Sequence, residues 1–238
     1  GTLVNDEFEI FGQHIDAETG AEIGVDFRIS DMGTDVGGGY DATAFGAFSP
    51  AVTYGLVADV VASPPVVIFS EYLVVWRGDD NTAPLVDNEF EVFGQRIDAT
   101  TGAEVGVNDF RISDMGATDG DVSYGAFAPA VTYNSINNEY LAVWMGDDDT
   151  APLLTDDREI FGQRVRKNNA DSTKSDLVGS NFRISDMGTD EDIRYSAASP
   201  AVAYNVTDNE YLVVWQGDDN SGTTVDDENE IFGQLIVG

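Results

Sequence analysis

The sequence predicts an all-β fold assembled from repeated four-stranded units of about 70 residues. Three observations carry that expectation. Whole phrases recur along the chain. Short runs rich in Val, Ile, Tyr, Phe and Trp alternate with clusters of turn residues. No segment keeps a 3.6-residue apolar period, so very little helix is expected.

The recurring phrases define the unit. Phe-Gly-Gln begins at Phe11, Phe93, Phe161 and Phe232. Phe-Arg-Ile-Ser begins at Phe27, Phe110 and Phe182, each time followed by Asp-Met-Gly. Pro-Ala-Val begins at Pro50, Pro129 and Pro200 and leads to Tyr54, Tyr133 or Tyr204. Glu-Tyr-Leu-x-Val-Trp ends at Trp76, Trp144 and Trp215, and each Trp opens Trp-x-Gly-Asp-Asp.

Each unit contains four strand-type runs. They are A (Ala51 to Tyr54), B (Tyr72 to Trp76), C (Glu91 to Ile97) and D (Phe110 to Ser113), with their equivalents. B reads Tyr-Leu-Val-Val-Trp, apolar on both faces, as a strand between two layers requires. In C a glycine follows the Phe (Gly94, Gly162), which marks a bend or a close backbone approach. The order is C-D, A-B-C-D, A-B-C-D, A-B-C. The units fall near 1–48 (partial), 49–127, 128–198 and 199–238 (partial), read together as a single domain over 1–238. The first full copy is longer. An apolar stretch from about Gly55 to Ser70, with Pro64 and Pro65, separates its Tyr from its Glu-Tyr. It reads as a flap or edge cover, or else as a partner-contact loop.

Four antiparallel strands with both faces apolar describe a blade of a β-propeller. A string of small β-sandwiches is the runner-up, with a thin core per unit. The phrases Pro-Ala-Val-Ala-Tyr-Asn, Glu-Tyr-Leu-Val-Val-Trp and Glu-Ile-Phe-Gly-Gln resemble repeats in large secreted or surface-anchored bacterial proteins predicted to form propellers. The resemblance covers nearly the whole chain and implies an architecture; it brings no catalytic residue. Three A-B pairs are fewer than the four or so blades of an ordinary closed ring. The expected partner is therefore a second copy or the remainder of a longer chain, covering the open strand edges.

Composition narrows the function. The 238 residues carry 44 Asp and Glu against 11 Lys and Arg, a net charge of −33. That charge argues against nucleic acid and anionic membrane as partners. An apolar share of 42% argues against a disordered acidic tail. The absence of Cys removes disulfides, thiolate metal sites and cysteine nucleophiles. No apolar run approaches the roughly 18 residues of a membrane-spanning helix. The first residues do not resemble a signal peptide, and Gly1 reads as the start of a processed or truncated chain.

Strand order turns the acid into a map. In an antiparallel unit the B–C and D–A loops emerge at one end and the A–B and C–D loops at the other. The B–C segments 78–91, 146–159 and 217–230 hold 5, 6 and 6 acids, and 5–9 holds 3. The D–A segments 31–41, 114–121 and 186–192 hold 3, 3 and 4, so 30 of the 44 acids are expected on one face.

Carboxylates at this density repel one another, and Ca²⁺, which takes about six to eight oxygen ligands, is the expected counterion. The candidate ligands are Asp79, Asp80 and Asp87; Asp114, Asp119 and Asp121; Asp147, Asp148, Asp156 and Asp157; Asp186 and Asp190; and Asp218, Asp219, Asp226 and Asp227. None matches an EF-hand loop. The alternative is a solvated, salt-adapted face, with Asp making local turns.

Other chemistry finds less support. His14 is the single histidine, and its equivalents are Arg96, Arg164 and Leu235, so it is a variable strand position rather than a catalytic or zinc residue. A glycosidase needs only two carboxylates, but here the prominent acids recur at matched positions. Arg28, Arg111 and Arg183 read as ion-pairing residues, with recognition of acidic sugars as the alternative. Trp76, Trp144, Trp215, Tyr72, Tyr140 and Tyr211 read as core packing rather than a sugar platform. The expected function is that of a non-enzymatic extracellular or cell-surface structural or adhesive module, with a glycan or a surface as a candidate partner. A carbohydrate-binding propeller and a carboxylate-dependent glycosidase or lyase are the alternatives.

Overall fold

The computed structural model describes residues 8–33, 45–59, 66–149, 152–153, 156–166, 177–188, 192–219 and 228–238. These residues form thirteen strands and no helix. The strands are β1 (Phe11–Ile15), β2 (Glu22–Arg28), β3 (Ala47–Asp59), β4 (Val66–Asp79), β5 (Phe90–Asp98), β6 (Glu104–Arg111) and β7 (Gly125–Asn134). They continue with β8 (Glu139–Asp147), β9 (Arg158–Arg166), β10 (Leu177–Arg183), β11 (Ala197–Asn205), β12 (Glu210–Gly217) and β13 (Glu230–Val237). They make four antiparallel sheets: β1-β2, β3-β4-β5-β6, β7-β8-β9-β10 and β11-β12-β13.

The sheets follow the order of the runs in the sequence, and their registers repeat. Trp76 pairs with Phe93, Trp144 with Phe161 and Trp215 with Phe232. The strands run longer than the runs read from the sequence, and two differences stand out. The D strand of the second sheet spans Glu104–Arg111 instead of Phe110 to Ser113, because the tight turn at 98–103 starts the pairing at once. The insertion of the first full copy continues strands A and B into a long hairpin, β3–β4, whose tip at 60–65 lies outside the described residues. That extension leans on the next sheet. The Tyr133 hydroxyl donates to the Leu56 carbonyl at 3.3 Å, and the Phe69 and Tyr133 rings meet edge to face.

Strand A carries a bulge at the same place three times. Ser49, Ala128 and Ser199 adopt positive φ of 54°, 50° and 51°, each just before a proline, and the pairing with strand B slips there. A proline has no amide to donate, so a ladder bond is lost at this point and the extra residue is absorbed as a bulge.

Burial explains the doubly apolar B strand. Tyr140, Ala142 and Trp144 of β8 pack with Leu73, Val75 and Val92 of the second sheet. Leu141 and Val143, on the opposite face of β8, pack with Tyr211, Val213 and Trp215 of the fourth. The sheets therefore lie in series, and a central strand finds apolar surface on both sides. Strand β7 touches β3, β4 and β5, and β11 repeats this against β7, β8 and β9.

One bond recurs between each sheet and the next. The indole N–H of Trp76, Trp144 and Trp215 points at the sulfur of Met32, Met115 and Met187, at 3.4, 3.3 and 3.2 Å. The methionine follows the D strand of the preceding sheet. Its methyl group occupies the space that a side chain would need at the glycine of Trp-x-Gly-Asp-Asp. A Cβ on Gly146 would lie 2.6 Å from the methyl carbon of Met115, and Gly78 and Gly217 stand in the same relation to Met32 and Met187. Gly146→Val should therefore overpack this joint and lower stability by roughly 1–3 kcal/mol. In thermal melts, adding Met115→Ala to Gly146→Val should restore part of the loss.

Candidate functional site

The acidic loops are built on the ends of the B, C and D strands, and hydrogen bonds bring them together. The amide of Gly120 in a D–A loop donates to Oε2 of Glu89 in a B–C loop at 2.9 Å. The amide of Ala117 donates to Oδ1 of Asp149 in the following sheet at 2.9 Å.

Much of the predicted ligand set already serves the fold. Asp79 is fully buried, and both its oxygens accept from the Asn88 amide, at 3.1 and 2.9 Å. Asp147 holds the Asp156 amide in the same way, at 3.0 and 2.9 Å. Each closes its B–C loop around a residue at positive φ, Asn88 at 69° and Asp156 at 71°. Oδ1 of Asp80 accepts from the amide and hydroxyl of Thr82, a local turn, and Asp121 accepts from the Ser123 amide. Asp114 and Asp119 are bound by Arg111, and Asp186 is bound by Arg183. Asp87 is exposed, Asp148 and Asp157 are buried, and Asp219 is half-buried. Asp218 stands where Asp79 and Asp147 stand in the earlier copies, after Trp-x-Gly. Asp190, Asp226 and Asp227 lie outside the described residues. Among the described residues, no three carboxylate or imidazole groups lie close enough to share one metal ion.

The most elaborate carboxylate centre is built on glutamates that the sequence reading did not single out, paired with the arginines that it read as ion-pairing residues. Glu91 of β5 is fully buried. It accepts from the Ser113 hydroxyl, from the Met115 amide at 2.9 Å and from the Arg111 guanidinium at 2.9 Å. Glu159 does the same with Ser185, with the Met187 amide at 2.8 Å and with Arg183 at 3.0 Å. Glu9 accepts likewise from Ser30 and from the Met32 amide at 3.0 Å, and the Arg28 guanidinium stands 3.8 Å away as an ion pair. The signal was present as Glu-x-Phe-Gly-Gln and Arg-Ile-Ser-Asp-Met, but the two phrases stand some 20 residues apart and acquire meaning only as a pair.

The other candidates resolve simply. His14 pairs with Ile23 across β1–β2, its ring edge-on to Phe27. Trp76, Trp144, Trp215, Tyr140 and Tyr211 are buried. A cleft of about 310 Å³ with mixed polar and apolar walls lies between the second and third sheets, lined by Arg111, Ile112, Asp114, Gln163, Leu177 and Asn181. Asn181 spans the two sheets by donating to the Asp114 carbonyl at 2.9 Å. No protein-family model matches the sequence, and no curated protein sequence matches it.

Burial dominates the electrostatics of the glutamate centre. It pushes Glu91 and Glu159 from 4.5 up to about 7, against the lowering pull of their arginine, hydroxyl and amide partners. Burial likewise pushes Asp79 up to about 6 against the Asn88 amide, and the nearby Asp87 and Asp80 add to the rise. The folded chain then keeps a proton that the unfolded chain releases. The stability this adds is full below the unfolded value of 4.5 and is lost as pH rises toward 7. Each such glutamate should account for roughly 1–3 kcal/mol of that slope. Melting temperature measured from pH 7 down to pH 4.5 should therefore rise more steeply for the parent chain than for Glu159→Gln.

Proposed function

We propose that this chain is a non-enzymatic structural or adhesive module of an extracellular or cell-surface protein, built as part or all of a β-propeller. One observation carries the reading. The recurring phrases supply residues that register strands or join sheets: Trp and Met across the joint, Gly beneath the methionine, and Glu, Arg and Ser at the turn after D. A motif set repeated for enzymatic work would instead converge on one asymmetric cleft. Antiparallel four-stranded sheets in series, each apolar on both faces, are the arrangement that propeller blades use.

The acid that remains at the loop ends gives the module its second property. Asp80 and Asp87 raise the proton affinity of Asp79, and Asp156 and Asp157 raise that of Asp147, so neighbouring charges oppose one another. Divalent cations, Ca²⁺ first, relieve such repulsion. In this reading calcium strengthens the loops and is not a catalytic group.

A carbohydrate-binding role is the second reading. It is favoured by the mixed cleft at Arg111, Gln163 and Asn181, whose donors and acceptors suit hydroxyl-rich ligands. Binding on a glycan array, lost on Asn181→Ala, would move the assignment to this alternative.

Calcium titration after chelation tests the first reading. The parent chain should gain thermal stability with Ca²⁺. Asp80→Asn with Asp87→Asn keeps the side-chain oxygen that the Asp80 turn uses, and it should lose most of that gain while melting normally in chelator. No heat of binding and no change in melting temperature would remove calcium from the account.

A further inference from the structure

We propose that the joint between the first and second sheets is a pH-operated latch, closed while the Asp109 carboxyl holds a proton and loosened when it ionises. The latch goes beyond the structural role above, because it makes the stacking of two sheets adjustable.

Asp109 lies near the end of β6 and reaches across the joint. Its Oδ2 accepts from the Asp31 amide at 2.9 Å and from the Asn108 side-chain amide at 3.0 Å. Its own amide donates to Oε1 of Gln95 at 3.0 Å. Oδ1 is buried and accepts no hydrogen bond from the described residues. The backbone holds this posture at a φ of 45°, which is uncommon away from glycine. An ionised oxygen buried without a donor is costly, whereas a protonated carboxyl carries no charge to satisfy. The next joint is built differently at the matched position. Asp109-Phe110-Arg111 aligns with Asn181-Phe182-Arg183. Asn181 donates to the Asp114 carbonyl at 2.9 Å, a bond between neutral groups that does not titrate.

Like charges face Asp109 from both sides of the joint. Glu9 and Asp31 stand across it, and Glu104 stands on β6 itself. Arg28, the cation on the first sheet, is already paired with both Glu9 and Asp31. Burial above all, and then Glu104, Glu9 and Asp31, raise the Asp109 carboxyl from 3.8 to about 7, against the lowering pull of the Asp31 amide. Opening the joint returns that carboxyl to water and to its ordinary range. Closure is therefore favoured fully below 3.8, weakens as pH rises through the window, and levels off above about 7. Inside the window each pH unit weakens closure by up to about tenfold. Asp31 leads directly into Met32, whose sulfur accepts the Trp76 indole N–H at 3.4 Å. Loosening thus reaches the apolar contacts of Ile10, Ile29 and Met32 with Trp76.

The chain has three tryptophans, and each marks one joint. Exchange of their indole N–H protons with deuterium, followed by NMR, reads the three joints separately in one molecule. From about pH 5 to about pH 7, exchange at Trp76 relative to Trp144 should accelerate several-fold in the parent chain. The ratio should stay level in Asp109→Asn, which keeps an acceptor for the Asp31 amide and removes the charge. The glutamates Glu9, Glu91 and Glu159 recur at all three joints, so the ratio cancels their common share. A level ratio in the parent chain overturns the latch. A rise of equal size in Asp109→Asn also overturns it, because the carboxyl is then not the source. The reciprocal change Asn181→Asp covers the case in which Asp109→Asn does not fold. It should confer the same response on Trp144, read against Trp215, and an unchanged ratio there overturns the latch as well.

Discussion

A fully buried glutamate at the start of the C strand in each of the two four-stranded sheets is the constraint on which the rest of this molecule depends. A lone carboxylate in such a place costs several kcal/mol unless donors surround it. Glu91 obtains them from Arg111, Ser113 and the Met115 amide, all in the segment that follows strand D. Satisfying that charge fixes where the chain goes after D. The turn then aims Met115 across the joint at Trp144, and the glycine at 146 leaves room for it. Registration within one sheet and contact with the next are thus consequences of one buried group. A half-satisfied version would be worse than none, because each missing donor leaves a buried acceptor unpaired.

The same logic divides the acid into two populations. Glu91, Glu159, Asp79 and Asp147 are interior groups that hold backbone amides and arginines. Asp87, Asp114 and Asp186 face solvent, two of them salted to the guanidinium that also serves the buried glutamate. Arg111 and Arg183 therefore bridge the interior and the acidic surface. In a chain with 44 acids and 11 bases, two of the few cations stand at matched positions where a buried charge needs compensation.

Much of the fold was legible because the repeats carry their own strand pattern. Tyr-Leu-Val-Val-Trp announces a strand covered on both sides, and the phrase order anticipated the sheet order through β13. The D strand was misplaced because Phe-Arg-Ile-Ser looks like its centre, whereas the pairing begins at the Asp98–Ala103 turn. The bulges at Ser49, Ala128 and Ser199 were hidden because serine and alanine give no sign of positive φ. The glutamate centre was missed for a different reason. Asp-rich loops attract attention by density, whereas Glu91 is a single acid in an apolar run, and its partners arrive 20 to 24 residues later. Nor does a glycine after Trp-x declare that its reason is a methionine 31 residues earlier in the chain, in the preceding sheet.

The claim that the buried glutamate sets the joint between sheets predicts energetic coupling between two side chains that meet only through the turn. A double-mutant cycle on Glu91→Gln and Met115→Leu, read by denaturant unfolding, measures it most directly. The account predicts a coupling within the range of about 0.5–3 kcal/mol seen for residues of one network. Losses that add to within roughly 0.3 kcal/mol would mean that the two residues act independently, and the central role given to Glu91 would be wrong.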